Sequence, residues 1–448
     1  MNASVSKASQ STANLQQLAS DIVAYARKQG ASASAAEVSE GFGQGVSVRQ
    51  GVVETIEYNR DKGLGVTVYL GQRRGNASTS DFSTRAVRDT VDAALNIARF
   101  TAEDDCSGLP DAGMLATEFP ELDLYHPWQL DVEHAIELAQ ECEQAAYRTD
   151  KRIVNSEGAS VNVNEAKFVH ANSLGFVGGY PTTRHSISCS VIAGKGDGMQ
   201  RDYWYSVARD AHEILRVDEI GRLAAERTVR RLKARKLPTM QCAVLFEAPV
   251  AASLFGHFVQ AVSGGSLYRK SSFLLDQLDS PVFSDIVRID DVPDTPRGLA
   301  SSNFDDEGVR TQRRSIVESG VLRGYFLGSY SARKLGMQTT GNAGGTHNLI
   351  VQSGELDFAG MLKKMQRGLV VTELLGHGVN PVTGDYSRGA AGFWVEHGEI
   401  QYPVEEITIA GNLKEMYRGI VAIGNDVLVQ GSRQCGSVMI ERMSVAGS

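Results

Sequence analysis

The side chains best suited to hold a catalytic metal in this chain are its nine histidines and five cysteines. The histidines stand at His126, His134, His170, His185, His212, His257, His347, His377 and His397. No two of them are three, four or five residues apart, so no pair could bind one metal from adjacent turns of a helix. The cysteines include no CxxC pair, which argues against a zinc knuckle. The spacing therefore predicts that this chain has no zinc site of its own.

Three other short motifs begin like catalytic or ligand-binding signatures. His212-Glu213 starts like a zincin motif, but Arg216 stands where the second histidine belongs, so an exposed pair is predicted. A nucleophile elbow of the form GxSxG is absent from the sequence. The segment 263–266, Ser-Gly-Gly-Ser, follows a predicted helix, whereas a phosphate-binding loop precedes one, so a helix stop is favoured.

The segment 374–400 is dense in glycine and in polar side chains. The polar residues in it are His377, Asn380, Thr383, Asp385, Ser387 and Arg388. Polar groups on glycine-rich turns could form a pocket wall or a partner surface. They could equally be hairpin turns, and composition leaves both interpretations open. Nothing orders Ser387, His377 and Asp385 as nucleophile, base and orienter, so no catalytic triad is predicted.

The charge balance argues against a nucleic-acid-binding protein. The 448 residues carry a formal net charge of -8 and a pI near 5.7. An acidic chain binds phosphate backbones only where a basic patch is segregated. The predicted helix 218–236 is rich in arginine and lysine, but it lacks interleaved aromatic residues. We therefore expect its cations to form a solvated helix face.

Hydrophobic periodicity predicts an α+β fold with two domains. Helical spacing is found in four stretches of the first half, at 15–28, 83–100, 131–147 and 218–236. Short alternating segments, separated by glycine-containing turns, lie between the helices of each pair, so a helix–meander–helix unit could be duplicated. A boundary is expected at 237/238, giving domains 1–237 and 238–448. After it, a strand at 242–246 and a helix from Pro249 to Val262 precede a mostly antiparallel β region with few helices.

The composition is that of an ordinary globular chain. Hydrophobic residues make up 42% and charged residues 22%. No stretch approaches the roughly 20 apolar residues that a membrane-spanning helix needs. The polar N-terminus lacks a signal-peptide pattern, and an odd number of cysteines fits a reducing compartment, so a cytoplasmic location is expected.

Several long segments, in matching order and spacing, resemble the PmbA (TldE) branch of the TldD/PmbA metalloprotease family. They are 246–278, 303–336, 376–400 with its GHGVNPVTGDYSRG run, and 403–416 with PVEEITIAGNLKEM. The resemblance implies a cytosolic proteolytic complex in which a TldD-like chain pairs with a PmbA-like chain. It also implies peptide and unfolded-polypeptide substrates, and the family was named as a modulator of DNA gyrase as well.

The resemblance further implies that the catalytic metal lies in the TldD-like partner, within an HExxxH motif and near a later cysteine. In this chain that motif falls on 256–261, with Gly256 and Ala261 at the ligand positions and His257 at the general-base position. Glycine and alanine offer no lone pair to a metal. No cofactor is therefore expected here, with zinc expected in the partner. Arg269 and Lys270, behind the helix, are candidates to hold a peptide carboxylate, or are solvated cations.

Three functions remain open from the sequence. The first is a non-catalytic subunit that presents substrate to a TldD-like partner in a heterodimer or larger assembly, with a homodimer as the alternative in isolation. The second is an independent hydrolase with an unrecognised site. The third is a non-enzymatic modulator of gyrase or DNA, which the acidic charge disfavours.

Overall fold

The first half of the chain forms one six-stranded antiparallel sheet covered by four helices. The computed structural model describes the backbone of residues 3–447 and the side chains of residues 11–447. The helices are α1 (Ala3–Lys28), α2 (Thr84–Phe100), α3 (Val132–Thr149) and α4 (Val217–Arg230). The strands are β1 (Ala33–Arg49), β2 (Val52–Leu70), β3 (Arg73–Thr79), β4 (Ile153–Asn172), β5 (Val177–Ala193) and β6 (Gln200–Ala208).

The order helix, three strands, helix occurs twice, first from α1 to α2 and then from α3 to α4. The sequence predicted such a repeated order. The strand order is β3-β2-β1-β4-β5-β6, so the two meanders meet through the antiparallel pair β1 and β4. Val38 of β1 packs with α1 and α2, and Val46 of the same strand packs with α3 and α4. Because residues an even number apart point to one face of a strand, both helix pairs cover the same face of the sheet.

The prediction of short strands separated by glycine turns is wrong for this half. The strand β2 runs unbroken through Gly63 and Gly65, and β1 runs through Gly41, Gly43 and Gly45. These glycines do not have left-handed backbones, and three of them have a neighbouring side chain close by; a Cβ on Gly43 would lie 3.2 Å from the Asn164 side chain on β4, whereas one on Gly65 would have nothing within 4 Å. Glycine here therefore lies inside long paired strands instead of ending them.

The second half is mostly antiparallel β structure, which confirms the predicted fold class. Its helices are α5 (Ala248–Ala261), α6 (Gly264–Tyr268), α7 (Ser329–Lys334), α8 (Phe358–Met365) and α9 (Leu413–Arg418). Its first strands are β7 (Met240–Phe246), β8 (Ile289–Val292), β9 (Arg314–Glu318), β10 (Val321–Leu322), β11 (Asn348–Val351) and β12 (Gly368–Leu375). Its last strands are β13 (Asp385–Glu396), β14 (Glu399–Asn412), β15 (Ile420–Ile423), β16 (Arg433–Gln434) and β17 (Val438–Ala446).

Two sheets build this half around one large apolar core. The five-stranded sheet has the order β10-β9-β8-β11-β16, and the six-stranded sheet the order β14-β13-β12-β7-β17-β15. A further pairing of β14 with β17 closes part of the second sheet into a ring. The helix α5 packs its apolar side, including Leu254, Phe255 and Phe258, into the core.

The predicted helix stop at Gly264-Gly265 is wrong. The helix α5 ends at Ala261, and Gly264 is the first residue of the short helix α6. A Cβ on Gly264 would lie 2.2 Å from the Ser331 hydroxyl of α7, so this glycine permits a close approach of two helices. Its backbone is not left-handed, which a glycine helix stop would require.

The expected solvated face of the basic helix is wrong for three of its arginines. The helix α4 ends at Arg230, and Arg222 keeps exposed ion pairs within it, but Arg227, Arg230 and the following Arg231 form a network of ion pairs with β6 and with the second half of the chain. Arg227 and Arg230 each place a guanidinium nitrogen 2.9 Å from a different oxygen of Glu247, which precedes α5. The remaining pairs are Arg227 with Asp202 of β6 at 3.5 Å, Arg231 with Asp202 at 3.7 Å, and Arg231 with Glu373 of β12.

A buried arginine provides a second connection between the halves. Arg209 donates hydrogen bonds to the carbonyls of Thr183, Gly298 and Leu299 at distances between 2.9 and 3.1 Å. Burial lowers the pKa of this guanidinium to about 10, so it stays charged at neutral pH. Arg209 thus fixes the loop at 298–299 against the end of the first sheet.

No helix in the part of the chain that the structure describes is long and apolar enough to cross a membrane.

We expect Glu247→Gln to destabilise the protein far more than Glu226→Gln. The side chain of Glu247 is only 12% exposed and forms ion pairs with two guanidinium groups. The side chain of Glu226 is half exposed and pairs with Arg222 within α4. Leaving near-buried cations unpaired costs about 3 kcal/mol, against under about 1 kcal/mol for a surface pair. Urea unfolding of both variants measures the difference, and equal losses would contradict the assigned role of Glu247.

Candidate functional cleft along helix α5

The side of α5 that faces away from the core lines a cleft between the two halves. Its lining residues recur at helical spacing and are small or polar: Ala248, Pro249, Ala252, Ser253, Gly256, His257 and Gln260. Small side chains on this side of the helix leave an open volume of about 730 Å³. The first half contributes Arg184 of β5 and Tyr205 of β6 to the cleft, and the rest of its wall comes from the second half, at 299–300, 346, 388, 428 and 430–433.

Two smaller cavities continue the cleft at its ends. One, of about 210 Å³, is lined by His257, Gln260, Ala261, Phe273, His377, Val379, Pro381 and Arg388. The other, of about 300 Å³, reaches Tyr203, Tyr205 and the ion pairs of Arg227 and Arg231. Arg388 of β13 lines all three spaces, so they form one groove along α5.

The position of the first expected metal ligand is filled by a guanidinium group. A Cβ placed on Gly256 would lie 2.0 Å from Nη1 of Arg433, which belongs to the edge strand β16. Ala261, at the second ligand position, is buried and has no donor atom. Among the described residues, no three histidine, cysteine, aspartate or glutamate side chains come together as a metal site would need. The residues at this place therefore do not fit a zinc ion.

Cys435 follows Arg433 closely but is not a reactive thiol. Its side chain is buried, and burial raises the pKa of the thiol to about 12. A thiol that stays protonated at neutral pH is a poor nucleophile and a poor metal ligand. This thiol therefore belongs to the core of the second half.

His257 is held as a neutral imidazole in the groove. Burial lowers its pKa, and the guanidiniums of Arg388 and Arg433 lower it further. Its Nε2 is buried without a hydrogen-bond partner, and its ring meets the ring of Tyr386 edge-on at 6.1 Å. Burial also raises the pKa of Tyr386 to about 12, so both groups are uncharged at neutral pH. The positive charge of this region lies on the arginines.

The glycine-rich segment 374–400 combines the two interpretations that the sequence left open. His377 lines the 210 Å³ cavity together with His257. Asn380, Thr383 and Asp385 instead build a turn: Asn380 Oδ1 accepts from the Val382 amide at 2.9 Å, and the Thr383 hydroxyl donates to Asp385 at 2.6 Å. That hydrogen bond, with one from Asn412, lowers the pKa of Asp385. Ser387 is exposed and lines none of these three spaces.

Arg269 and Lys270 also lie away from the groove. Both side chains are exposed, and Arg269 donates to the Tyr268 hydroxyl at 2.9 Å. Sequence reasoning missed Arg184 and Arg433, and it noted Arg388 without a role. These three come from β5, β13 and β16, so only the folded chain brings them together. His212 and Glu213 are an exposed pair, as expected.

Family models match three successive parts of the chain. They describe domain 1 of the PmbA/TldA metallopeptidases over residues 35–98, the central domain over 125–232 and the C-terminal domain over 239–447. The chain belongs to this family. The first two matched parts correspond to the two structural repeats of the first half.

Similar proteins support the same placement. The metalloprotease PmbA of Escherichia coli O157:H7 is 52% identical over 92% of this chain and 91% of its own. A candidate modulator of DNA gyrase from Bacteroides thetaiotaomicron has a crystal structure with a TM-score of 0.91 and 28% identity, covering 96% of this chain and 98% of that one. TldE from Thermococcus kodakarensis has a TM-score of 0.86 at 19% identity, over 96% of this chain and 100% of its own, which shows a shared fold.

We expect His257 to titrate below pH 6.5, and Arg433→Gln to move its midpoint upward. Because the pKa of His257 is lowered in the folded state, the unfolded chain binds this proton more readily, and protonation of His257 reduces the stability of the protein as pH falls below 6.5. Nuclear magnetic resonance of the labelled histidine ring, assigned with His257→Gln, measures the midpoint. Arg85→Gln removes one positive charge from an exposed position on α2 and should leave the His257 midpoint unchanged. An unshifted midpoint in Arg433→Gln would contradict the assigned influence of Arg433.

Proposed function

We propose that this chain is the metal-free subunit of a two-chain peptidase, in which it binds peptide and presents it to a metal-carrying TldD-like partner. The observation that carries this proposal is the guanidinium of Arg433 over Gly256, at the place where the family motif has a metal ligand. A guanidinium cannot polarise a carbonyl as a metal ion does, and it keeps its proton at neutral pH. Water activation would therefore fall to the partner, where we expect zinc.

The groove itself supports a role in holding an extended peptide. The helix α5 has 14 residues and is about 21 Å long at 1.5 Å per residue. An extended chain advances about 3.3 Å per residue, so roughly six residues would lie along it. The edge strand β16 borders the groove, and an edge strand can pair with a peptide main chain without selecting its sequence.

The cysteines support a cytoplasmic location as part of this proposal. All five are free in the structure, and Cys142 and Cys189 are both fully buried, with their thiols within hydrogen-bonding reach. Unbridged neighbouring thiols fit a reducing compartment.

Cleavage of an unstructured peptide by this chain, by a TldD-like chain and by both together tests the proposed role. We expect no cleavage by this chain, and roughly tenfold or faster cleavage by the pair than by the partner alone, because a second subunit adds positioning. Elemental analysis should find well below one zinc per purified chain of this protein. Stoichiometric zinc here, or an unchanged rate when this chain is added, would overturn the proposal.

A further inference from the structure

The main cleft carries an unusual charge for this protein. Arg184, Arg388 and Arg433 line it, and none of its lining residues in the described structure is an aspartate or glutamate. The whole chain has 53 acidic and 45 basic residues, so a wall with three cations and no carboxylate runs against its composition. The excess positive charge is therefore local to the groove.

These arginines also lack the partners that the neighbouring arginines have. Arg227, Arg230 and Arg231 are matched by carboxylates within the same region of the fold. No described carboxylate forms an ion pair with any of the three cleft arginines, whereas many exposed arginines elsewhere have one. Nε of Arg388 is buried without a hydrogen-bond partner, as is Nε of Arg230, but Arg388 has no described carboxylate on its other nitrogens; its polar neighbour is the Tyr386 hydroxyl, whose pKa burial raises and this guanidinium lowers. A buried donor without a partner costs free energy unless a ligand completes it.

We propose that the cleft is a carboxylate-binding subsite, in which Arg388 and Arg433 hold an acidic side chain or the C-terminal carboxylate of a peptide lying along α5. Arginine presents paired N–H donors that match the two oxygens of a carboxylate. Arg184, across the cleft, adds charge from the first half. This assignment rests on the proposed peptide-binding role and names the substrate feature that the chain recognises.

The surroundings favour a peptide carboxylate over a nucleic acid. A phosphate backbone needs a basic surface along its length, and a chain of net charge -8 repels it outside the cleft. Towards the 300 Å³ cavity the lining includes Asp202 and Glu373, already paired with arginines. A single carboxylate can be bound by the positive charge of the unpaired guanidiniums alone, without a basic surface around the cleft.

The test measures peptide binding by this chain alone, using fluorescence anisotropy. One labelled probe is an unstructured eight-residue peptide that ends in Glu with a free C-terminus, and the second replaces the Glu by Gln and amidates the C-terminus. We expect the acidic probe to bind roughly tenfold tighter, because its carboxylates can accept charge-assisted hydrogen bonds from the arginines. Arg388→Gln and Arg433→Gln should each remove most of that preference.

Two further variants make the result specific to the cleft. Arg85→Gln removes one positive charge from an exposed position on α2 and should keep the preference. Gln260→Glu is nearly isosteric and places a carboxylate on the lining of the cleft, so it should weaken the acidic probe without removing a cation. If circular dichroism shows that one arginine variant does not fold, the proposal is tested with Gln260→Glu and the other arginine variant.

Equal binding of the two probes to the parent chain, or an undiminished preference in folded Arg388→Gln and Arg433→Gln, would overturn the subsite. Tighter arginine-dependent binding of a labelled eight-nucleotide single strand would overturn it as well, by assigning the cleft to phosphate. This assay involves neither a partner chain nor peptide cleavage. The carboxylate subsite can therefore be confirmed even if the proposed subunit role is wrong, and it can be wrong even if the subunit role is confirmed.

Discussion

The ion-pair network of α4 is the interaction on which the functional groove depends. The second half supplies most of the groove's lining and the first half supplies Arg184 and Tyr205, so the position of these two side chains depends on how the halves dock. Glu247 stands at the start of α5 and receives two guanidiniums from α4, which ties the groove's floor directly to the first half. Nearly buried pairs of this kind are geometrically demanding, since each charge must meet its partner to offset desolvation. The network therefore specifies one docking geometry more than it adds net stability.

The duplicated architecture of the first half is used asymmetrically. The second repeat supplies β5, β6 and α4, and with them Arg184, Tyr205 and the cations of the docking network. The first repeat has the same order of elements, but its corresponding helix α2 carries exposed Phe100 and Ile97 at its end. The second repeat thus meets the second half through a network of arginines, whereas the segment that follows α2 meets it through the ion pair of Asp104 with Lys334 of α7.

Much of the fold could be predicted from the sequence because the long helices are periodic and two of them, α2 and α3, have side-chain caps. Asp131, for example, accepts a hydrogen bond from the amide of His134 at the start of α3, as its position before the helix indicates. The strands were harder, since Gly63 and Gly65 look like turn residues locally and are kept extended by pairing with β1. Local propensity cannot show that pairing with another strand keeps a glycine-containing segment extended.

The site was predictable only where the chemistry is local. Gly256 and Ala261 lack donor atoms whatever surrounds them, so the misfit to a metal followed from sequence alone. Arg433 lies 177 positions further along the chain, and nothing near it in the sequence points to Gly256. The buried state of Arg227 and Arg231 was equally hidden, because their partners Asp202, Glu247 and Glu373 come from three other segments.

Glycine at position 256, with the guanidinium of Arg433 filling the space beside it, limits what helix α5 can do. A zinc ion would offer a Lewis acid and a bound water of low pKa. A guanidinium offers neither, but it holds a fixed positive charge and directional donors at any physiological pH. In the function that we propose, hydrolysis falls to the metal-carrying partner, and helix α5 of this chain serves recognition. The small residues at 252, 253 and 256 suit this use, because they leave the guanidiniums of Arg388 and Arg433 accessible from the groove.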